Sequence, residues 1–571
     1  MTRTAAAGDH GLHAVVITDS LEHRARQLAR MWSGAAALLF VVLAATIGIP
    51  HGPDLESWER LAQLVTLAVI GAGIVLAWRW EGLGGSILLI ASTSLGVLAT
   101  LQHQPLISFL PAAVFLAPAV AFLVAWHRTR TVGAVVVLAV VLTAILIGGS
   151  AAARAMYAHG YGPAHPQSTL PELPLSPVAW MWSGAVTDSS AVVVARVDDA
   201  DQVTLVLADM AGQETNYEGH PSTKAWRFEL DGLEPATEYS YRFAVDGSLV
   251  TNRDGRFHTF PAGPASFTVA VGSCARLGST GMVYEAIRAA EPDLFLVPGD
   301  FFYADHIVTI DQFEAAYDET LSSPAQAALL ADVPIAYVWD DHDYGGNDAD
   351  STAPTRDIAR SAFSAYVPHY DLTGSGTINQ AFSVGRVRFL MLDNRSARDP
   401  KTDPDGSDKT MLGADQLTWL QSQLLEAADE YPLTVIVTSV PWIAQAEADA
   451  DHWGGYSTER QALANFIAAN DIGGLLMVAG DAHMVAIDDG TNTDYATPGT
   501  APFPLLHAAA LDRPGSVKGG PYSEGAQPGG GQFGLIDVID TGDDRITVRL
   551  SGFDWTGSRL VDYSFEVTVS P

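Results

Sequence analysis

DLFLVPGDFFYAD, from Asp293 to Asp305, is the stretch on which the reading of this chain turns. Asp293 to Asp300 is an apolar run of buried-strand length closed by a glycine and a carboxylate. Gly299 lets the backbone turn closely, and Asp300 then projects from the strand end, where a carboxylate can bridge two cations. Tyr303 follows one short turn later and supplies a phenolate if a strongly acidic metal lowers its pKa. Ferric iron does that and calcium does not.

Working outward, the same kind of run recurs as FTVAVGSC (Phe267 to Cys274), IAYVWDD (Ile335 to Asp341), VRFLMLD (Val387 to Asp393), LTVIVTSV (Leu433 to Val440) and GLLMVAGD (Gly474 to Asp481). Amphipathic pieces such as Met282 to Ala290 and Ala414 to Ala428 lie between them. Strands alternating with helices predict a layered α/β domain over 263–571, with sheets between helices. Ligands in such folds gather where strands end. Here the strand ends carry Cys274, Asp300, Asp340, Asp341, Asp393 and Asp481. Cys274 is the only cysteine of the chain, which excludes an intrachain disulfide and leaves the thiol to be explained by other chemistry.

The segment VWDDHDYGGND (Val338 to Asp348) packs four carboxylates, one histidine and one amide into eleven residues. Hard oxygen donors suit calcium, manganese, magnesium or ferric iron, whereas zinc would call for more histidine or cysteine. Asp340, Asp341 and Asn347 are the candidate ligands, and spacing does not choose between them. His342 is the candidate proton donor to a leaving oxygen, or a phosphate contact. In GDAH (Gly480 to His483), Asp481 and His483 fall on one side of an extended segment and can reach one metal cluster. Arg395 is a candidate phosphate contact with a structural ion pair as the equal alternative, and Arg276 and Lys518 are candidate substrate contacts. Taken singly, glycine–aspartate turns and Asp-rich loops are commonplace; in this order and at strand ends they form a site.

The ordered set resembles the alkaline phosphatase D (PhoD-like) family of metallophosphoesterases over roughly residues 175–565: GSC at Gly272 to Cys274, GDFFYAD at Gly299 to Asp305, WDDHD at Trp339 to Asp343, LDNR at Leu392 to Arg395, and GDAH. The resemblance implies a calcineurin-like metallophosphoesterase sandwich. It further implies a ferric ion held by Cys274, Asp300, Tyr303 and Asp481, and calcium held by groups of the WDDHD segment with Asp300 and His483. Manganese or another divalent cation can stand in for calcium. Two departures stand out. DHWGGYSTER (Asp451 to Arg460) has Gly454 where the family often has a second acidic residue, and GSC and DDH replace the general Asp-x-His and Asn-His patterns.

Ahead of this domain, SSAVVVARV, QVTLVLAD, AWRFELDGL and YSYRFAVDG alternate over 178–262 as a small β-sandwich of fibronectin type III or immunoglobulin-like type. Its DGLEPATEYSYRF segment (Asp231 to Phe243) fits a tyrosine at the sheet corner that bonds back to the backbone. Residues 154–177 read as a linker rich in Pro, Gly and His. Residues 1–153 contain five apolar stretches, at 33–49, 61–78, 83–101, 106–126 and 132–150, each near the roughly 20 residues a membrane helix needs. Arg24, Arg26, Arg30, Arg79, Arg128 and Arg130 flank alternate ends, so the expectation is a five-helix transmembrane region with a cytoplasmic N-terminus and an extracytoplasmic catalytic domain.

The net charge of −34 repels phosphate backbones and argues against a general nucleic-acid partner. The expected partners are a phosphate ester, of envelope origin where the membrane supplies it, and the lipid bilayer. The expected function is a membrane-anchored phosphohydrolase acting on mono- or diesters by a metal-activated hydroxide. The alternative is an envelope protein that binds or senses phosphorylated ligands without turnover.

Overall fold

The computed structural model describes residues 27–35, 37, 57–102, 105–127, 166–305, 307–373, 376–508 and 510–569. The chain divides into two compact units, Met1–Met156 and Tyr157–Pro571.

The first unit contains helices Ser57–Arg79, Glu81–Gln102 and Pro105–His127. Ile70, Ile74, Leu88, Ala91, Phe115 and Ala119 form its buried contact. The Ser86 and Ser92 hydroxyls are buried there and satisfied by donating to the carbonyls of Gly82 and Leu88 one turn back. These helices coincide with the second, third and fourth apolar stretches. Among the described residues, no helix is long and apolar enough to cross a membrane. The expected five-helix transmembrane region is not supported by these helices. The fifth stretch, 132–150, and 33–49 beyond residue 37 lie outside the described residues.

The second unit is built on two large sheets. The ten-stranded sheet runs, in order, Arg559–Thr568, Arg545–Asp554, Gln532–Ile539, Phe267–Val271, Leu294–Pro298, Ile335–Val338, Val178–Gly184, Ser190–Val197, Ala225–Asp231 and His220–Ser222. The seven-stranded sheet runs Gln380–Val384, Val387–Met391, Leu433–Thr438, Leu475–Ala479, Leu505–Ala508, Met484–Asp488 and Gly525–Pro528. Its central strands pair in parallel, Val387–Met391 with Leu433–Thr438 and that strand with Leu475–Ala479. Parallel strands covered on both faces are apolar throughout, which is why these runs show no alternation in sequence.

The two faces of the seven-stranded sheet meet different neighbours. Leu433, Val435 and Val437 point into the core shared with Val269, Val271, Leu294 and Leu296 of the first sheet. Leu390, Ile436 and Met477 face the other way, onto Leu420 and Leu424 of helix Gly413–Glu430 and Leu463 and Ile467 of helix Ser457–Ala469. The result is the layered sandwich read from the sequence.

The β-rich segment before it shares a sheet with this domain. Val178–Gly184 pairs in parallel with Ile335–Val338 through Gly184 and Ile335, so one face of the small sandwich continues the ten-stranded sheet. Its other face is the four-stranded sheet Glu214–Glu218, Val203–Asp209, Glu238–Val245 and Ser248–His258. Phe228 and Phe243 meet across the layer with ring centroids 5.5 Å apart. The Glu234 N–H donates to the Tyr239 hydroxyl at 2.9 Å, the bond expected of a tyrosine corner.

Candidate active site

Every candidate group comes from a loop that leaves the C-terminal end of a parallel strand. Cys274, Asp300 and Asp481 stand there with φ of 60°, 53° and 67°, the left-handed region that non-glycine residues avoid. Such conformations cost of order 1 kcal/mol each and persist where the surroundings over-determine them. All three aim at one point. Gly299 makes the approach possible: a Cβ there would lie 2.5 Å from Asp340 Cβ.

Asp300 is the hub. Its Oδ2 accepts from Cys274 Sγ at 3.3 Å and from the Tyr303 hydroxyl at 3.0 Å, and that hydroxyl lies 2.9 Å from His483 Nε2. Its Oδ1 accepts the His342 N–H at 3.4 Å. The groups Asp300–Asp340–Asp481, Asp300–Asp341–His342 and Asp341–Asp348–Asp451 each bring three ligand atoms within 4.8 Å of one another. The structure thus gathers Cys274, Asp300, Tyr303, Asp340, Asp341, His342, Asp481 and His483 in one place.

The electrostatics follow from crowding. Burial raises the Cys274 thiol and the Tyr303 phenol well above their usual ranges, and neighbouring Asp300 adds to both. Burial, with Asp341 and Asp481 beside it, lifts Asp300 to about 6 against the pull of His342. Asp341 stays low because the Arg395 guanidinium and His342 outweigh its burial. His342 is raised to about 10, the carboxylates of Asp341, Asp300 and Asp305 overcoming its burial. His483 is held well below its usual value by burial and by Lys518 and Arg513.

The buried carboxylates fit a cation. Asp340 Oδ1 accepts from Arg395 Nε at 2.5 Å and from Ser439 Oγ at 2.6 Å, but Asp340 Oδ2 is buried with no hydrogen-bond partner among the described residues. An orphaned carboxylate oxygen among two further carboxylates lacks only a positive charge.

Other candidates are placed differently. Arg395 is fully buried; its Nη1 and Nη2 clasp both oxygens of Asp451 at 3.0 and 2.8 Å, and Asp341 lies 3.8 Å away. It braces carboxylates, the ion-pair arm of the sequence reading. The Asn347 amide donates to Asp348, so Asp348 supplies the group oxygen from that loop. Lys518 pairs with Asp481 at 2.7 Å. Arg276 pairs with Asp512 at 3.2 Å and is half exposed. Asp343 turns inward to accept from Phe301 N, Asp340 N and the Tyr337 hydroxyl, fixing the loop.

Sequence reasoning missed Asp348, Asp451, Ser439 and Arg513, whose guanidinium lies 4.1 Å over the Tyr303 ring. Only the acid-rich run before Trp453 hinted at Asp451. At Gly454 a Cβ would sit 2.2 Å from the Gln445 carbonyl, so no acidic side chain fits that position here.

Residues 269–503 match the family model described as PhoD-like phosphatase, and residues 18–134 match a domain of unknown function (DUF7670). Alkaline phosphatase D of Bacillus subtilis (strain 168) is 25% identical over 307 residues, covering 45% of this chain and 52% of that protein. Purple acid phosphatase 21 of Arabidopsis thaliana is 27% identical over 265 residues, again 45% and 52%. The chain spans about half the length of these curated relatives. A solved structure of PhoD superposes with a TM-score of 0.55 at 18% identity, over 71% of this chain and 94% of that one. The purple acid phosphatase PPD1 of yellow lupin gives 0.50 at 14%, over 70% and 75%. The fold is shared with these phosphatases, and its strand ends carry acidic groups that could hold metal. Over residues 269–503 the chain is similar to PhoD-like phosphatases.

Proposed function

We propose that the protein hydrolyses phosphate esters at the Asp300 cluster, with a ferric ion held by Cys274, Asp300, Tyr303 and Asp481. Calcium, or another divalent cation, is assigned to Asp340, Asp341 and Asp348 with Asp300. The observation that carries the reading is the triple of Asp300, Asp340 and Asp481 with Asp340 Oδ2 unpartnered. Ions bound there supply Lewis acidity to the ester and lower the pKa of attacking water.

The chain's own groups do the rest. His342 Nδ1 is tied to Asp305 at 2.5 Å, and its ring stacks on Tyr303 with centroids 3.8 Å apart. Held beside the carboxylates of Asp341, Asp300 and Asp305, the imidazole is positioned to give a proton to the departing alkoxide. Lys518 and Arg513 add positive charge beside the phosphoryl group.

Attachment to a membrane with the phosphatase unit on the extracytoplasmic side is proposed from the apolar runs of 33–150 and the arginines that flank them. Alkaline extraction of cell membranes tests attachment, and proteolysis of intact cells tests sidedness. Release of p-nitrophenol from p-nitrophenyl phosphate and bis(p-nitrophenyl) phosphate, with and without chelator, tests the enzyme. Chelator-sensitive release is expected. Ester binding without hydrolysis in metal-loaded protein would leave a binding or sensing protein instead.

A further inference from the structure

A cavity of about 440 Å³ lies where two segments leave the carboxylate cluster. Ser439, which donates to Asp340, leads in four residues to Ile443. Lys518, paired with Asp481, leads in two residues to Gly520. The Gly520 N–H donates to the Ile443 carbonyl at 2.8 Å and joins the two walls. Two residues span about 7 Å at most, so the cavity begins within one substrate's length of the cluster.

Its charge is unusual for this molecule. In a chain of net charge −34, no carboxylate lines it, and Arg460 is its one charged lining residue. Arg460 is 2% exposed. Its Nη1 donates to the carbonyls of Trp442 and Ala444 at 2.7 and 2.9 Å, and the guanidinium carbon lies 3.6 Å from the Tyr495 ring centroid. None of these partners carries a charge, and among the described residues Nε has no hydrogen-bond partner. Among the described residues no carboxylate forms an ion pair with this buried guanidinium, Asp405 acting on it only at longer range, and planar donors of this kind match oxyanions. Ser457 donates to Asp405 and Asn492 to Asp488 behind the wall, which leaves Gln461 and Arg460 as the lining groups that offer donors to an anion.

We propose that this cavity receives a second anionic group of the substrate, a phosphate or carboxylate on the alcohol side of the scissile ester, with Arg460 as its partner. This deepens the phosphohydrolase reading and rests on it. The substrate class becomes a phosphate ester that bears a further oxyanion.

The test compares kcat/KM of the metal-loaded full chain for propane-, pentane- and octanediol bisphosphates with those for propyl, pentyl and octyl phosphate. The ω-carboxyalkyl phosphates of the same lengths form the second arm. At one length the doubly anionic ester should be favoured about tenfold, the size of one charge-assisted contact. The arm with the larger preference identifies the anion. Calorimetric titration with the matching alkane diphosphonates should show the same length dependence in binding. In Arg460→Gln the preference should fall to near parity. Because Arg460 also holds two carbonyls, Gln461→Glu provides a second variant: Gln461 is exposed at the cavity wall, and a carboxylate there should abolish the preference by occupying the guanidinium. Equal rates at every length, or a preference that survives both substitutions, would overturn the proposal while p-nitrophenyl phosphate hydrolysis leaves the parent reading standing. Loss of all ester hydrolysis in metal-loaded wild type would overturn both.

Discussion

Arg395 and Asp340 form a fully buried ion pair in which the guanidinium satisfies only one carboxylate oxygen, leaving Asp340 Oδ2 without a partner inside the site. Arg395 therefore acts by arranging the cluster. Removing one member of a buried pair typically costs about 3–5 kcal/mol because a charge is left stranded. Arg395→Met should lower the urea midpoint accordingly, and Arg395→Met with Asp340→Asn should cost less than the sum of the two. Strict additivity would show that the pair is not coupled.

Cys274 is buried, 3.3 Å from Asp300 and 3.4 Å from the Ser273 hydroxyl. Cys274→Ala should remove bound iron and reduce ester hydrolysis together, by at least about 100-fold, beyond what loss of a supporting contact produces. Elemental analysis beside a rate measurement decides it; full iron with full turnover refutes the ligand assignment.

Tyr303 lies between Asp300 and His483. A ferric phenolate absorbs in the visible, so Tyr303→Phe should lose or shift that band while retaining the fold. An unchanged spectrum of the iron-loaded variant removes Tyr303 from the metal.

Asp300 is raised from 3.8 to about 6, so the metal-free site binds a proton more tightly folded than unfolded. Its contribution to metal-free stability is complete below about pH 4 and is lost as pH rises through about 6. Metal binding needs the carboxylate, so affinity should fall by up to about tenfold per pH unit below pH 6. Dissociation constants measured across pH 5–7 should show this slope, and a flat profile would exclude Asp300 as a ligand.

Gly454 has the Gln445 carbonyl 2.2 Å from where a Cβ would lie. Gly454→Glu should destabilise the unit by roughly 1–3 kcal/mol, as overpacking does, without adding a metal ligand. Thermal unfolding and metal stoichiometry check the two halves of that expectation separately.

Much of this was open to reading in one dimension. The runs ending at Asp300, Asp341 and Asp481 are apolar because parallel strands are buried on both faces, and the ligand types sit where those runs stop. Local chemistry therefore determined the layered α/β domain, the tyrosine corner at Tyr239 and the identity of most groups in the cluster. Only the tertiary structure decided which way each side chain faces. Asp340 and Asp343 are three residues apart in one loop, yet one enters the cluster and the other turns back to accept the N–H groups of Phe301 and Asp340. Asp451 and Ser439 join the site across long sequence separations, through Arg395 and Asp340. The continuous sheet through Gly184 and Ile335 and the carboxylate-free cavity at Arg460 are likewise products of packing. Spacing along a chain registers strands and turns, but burial of a charge and the partner that compensates it are set by segments that meet only when the sheets close.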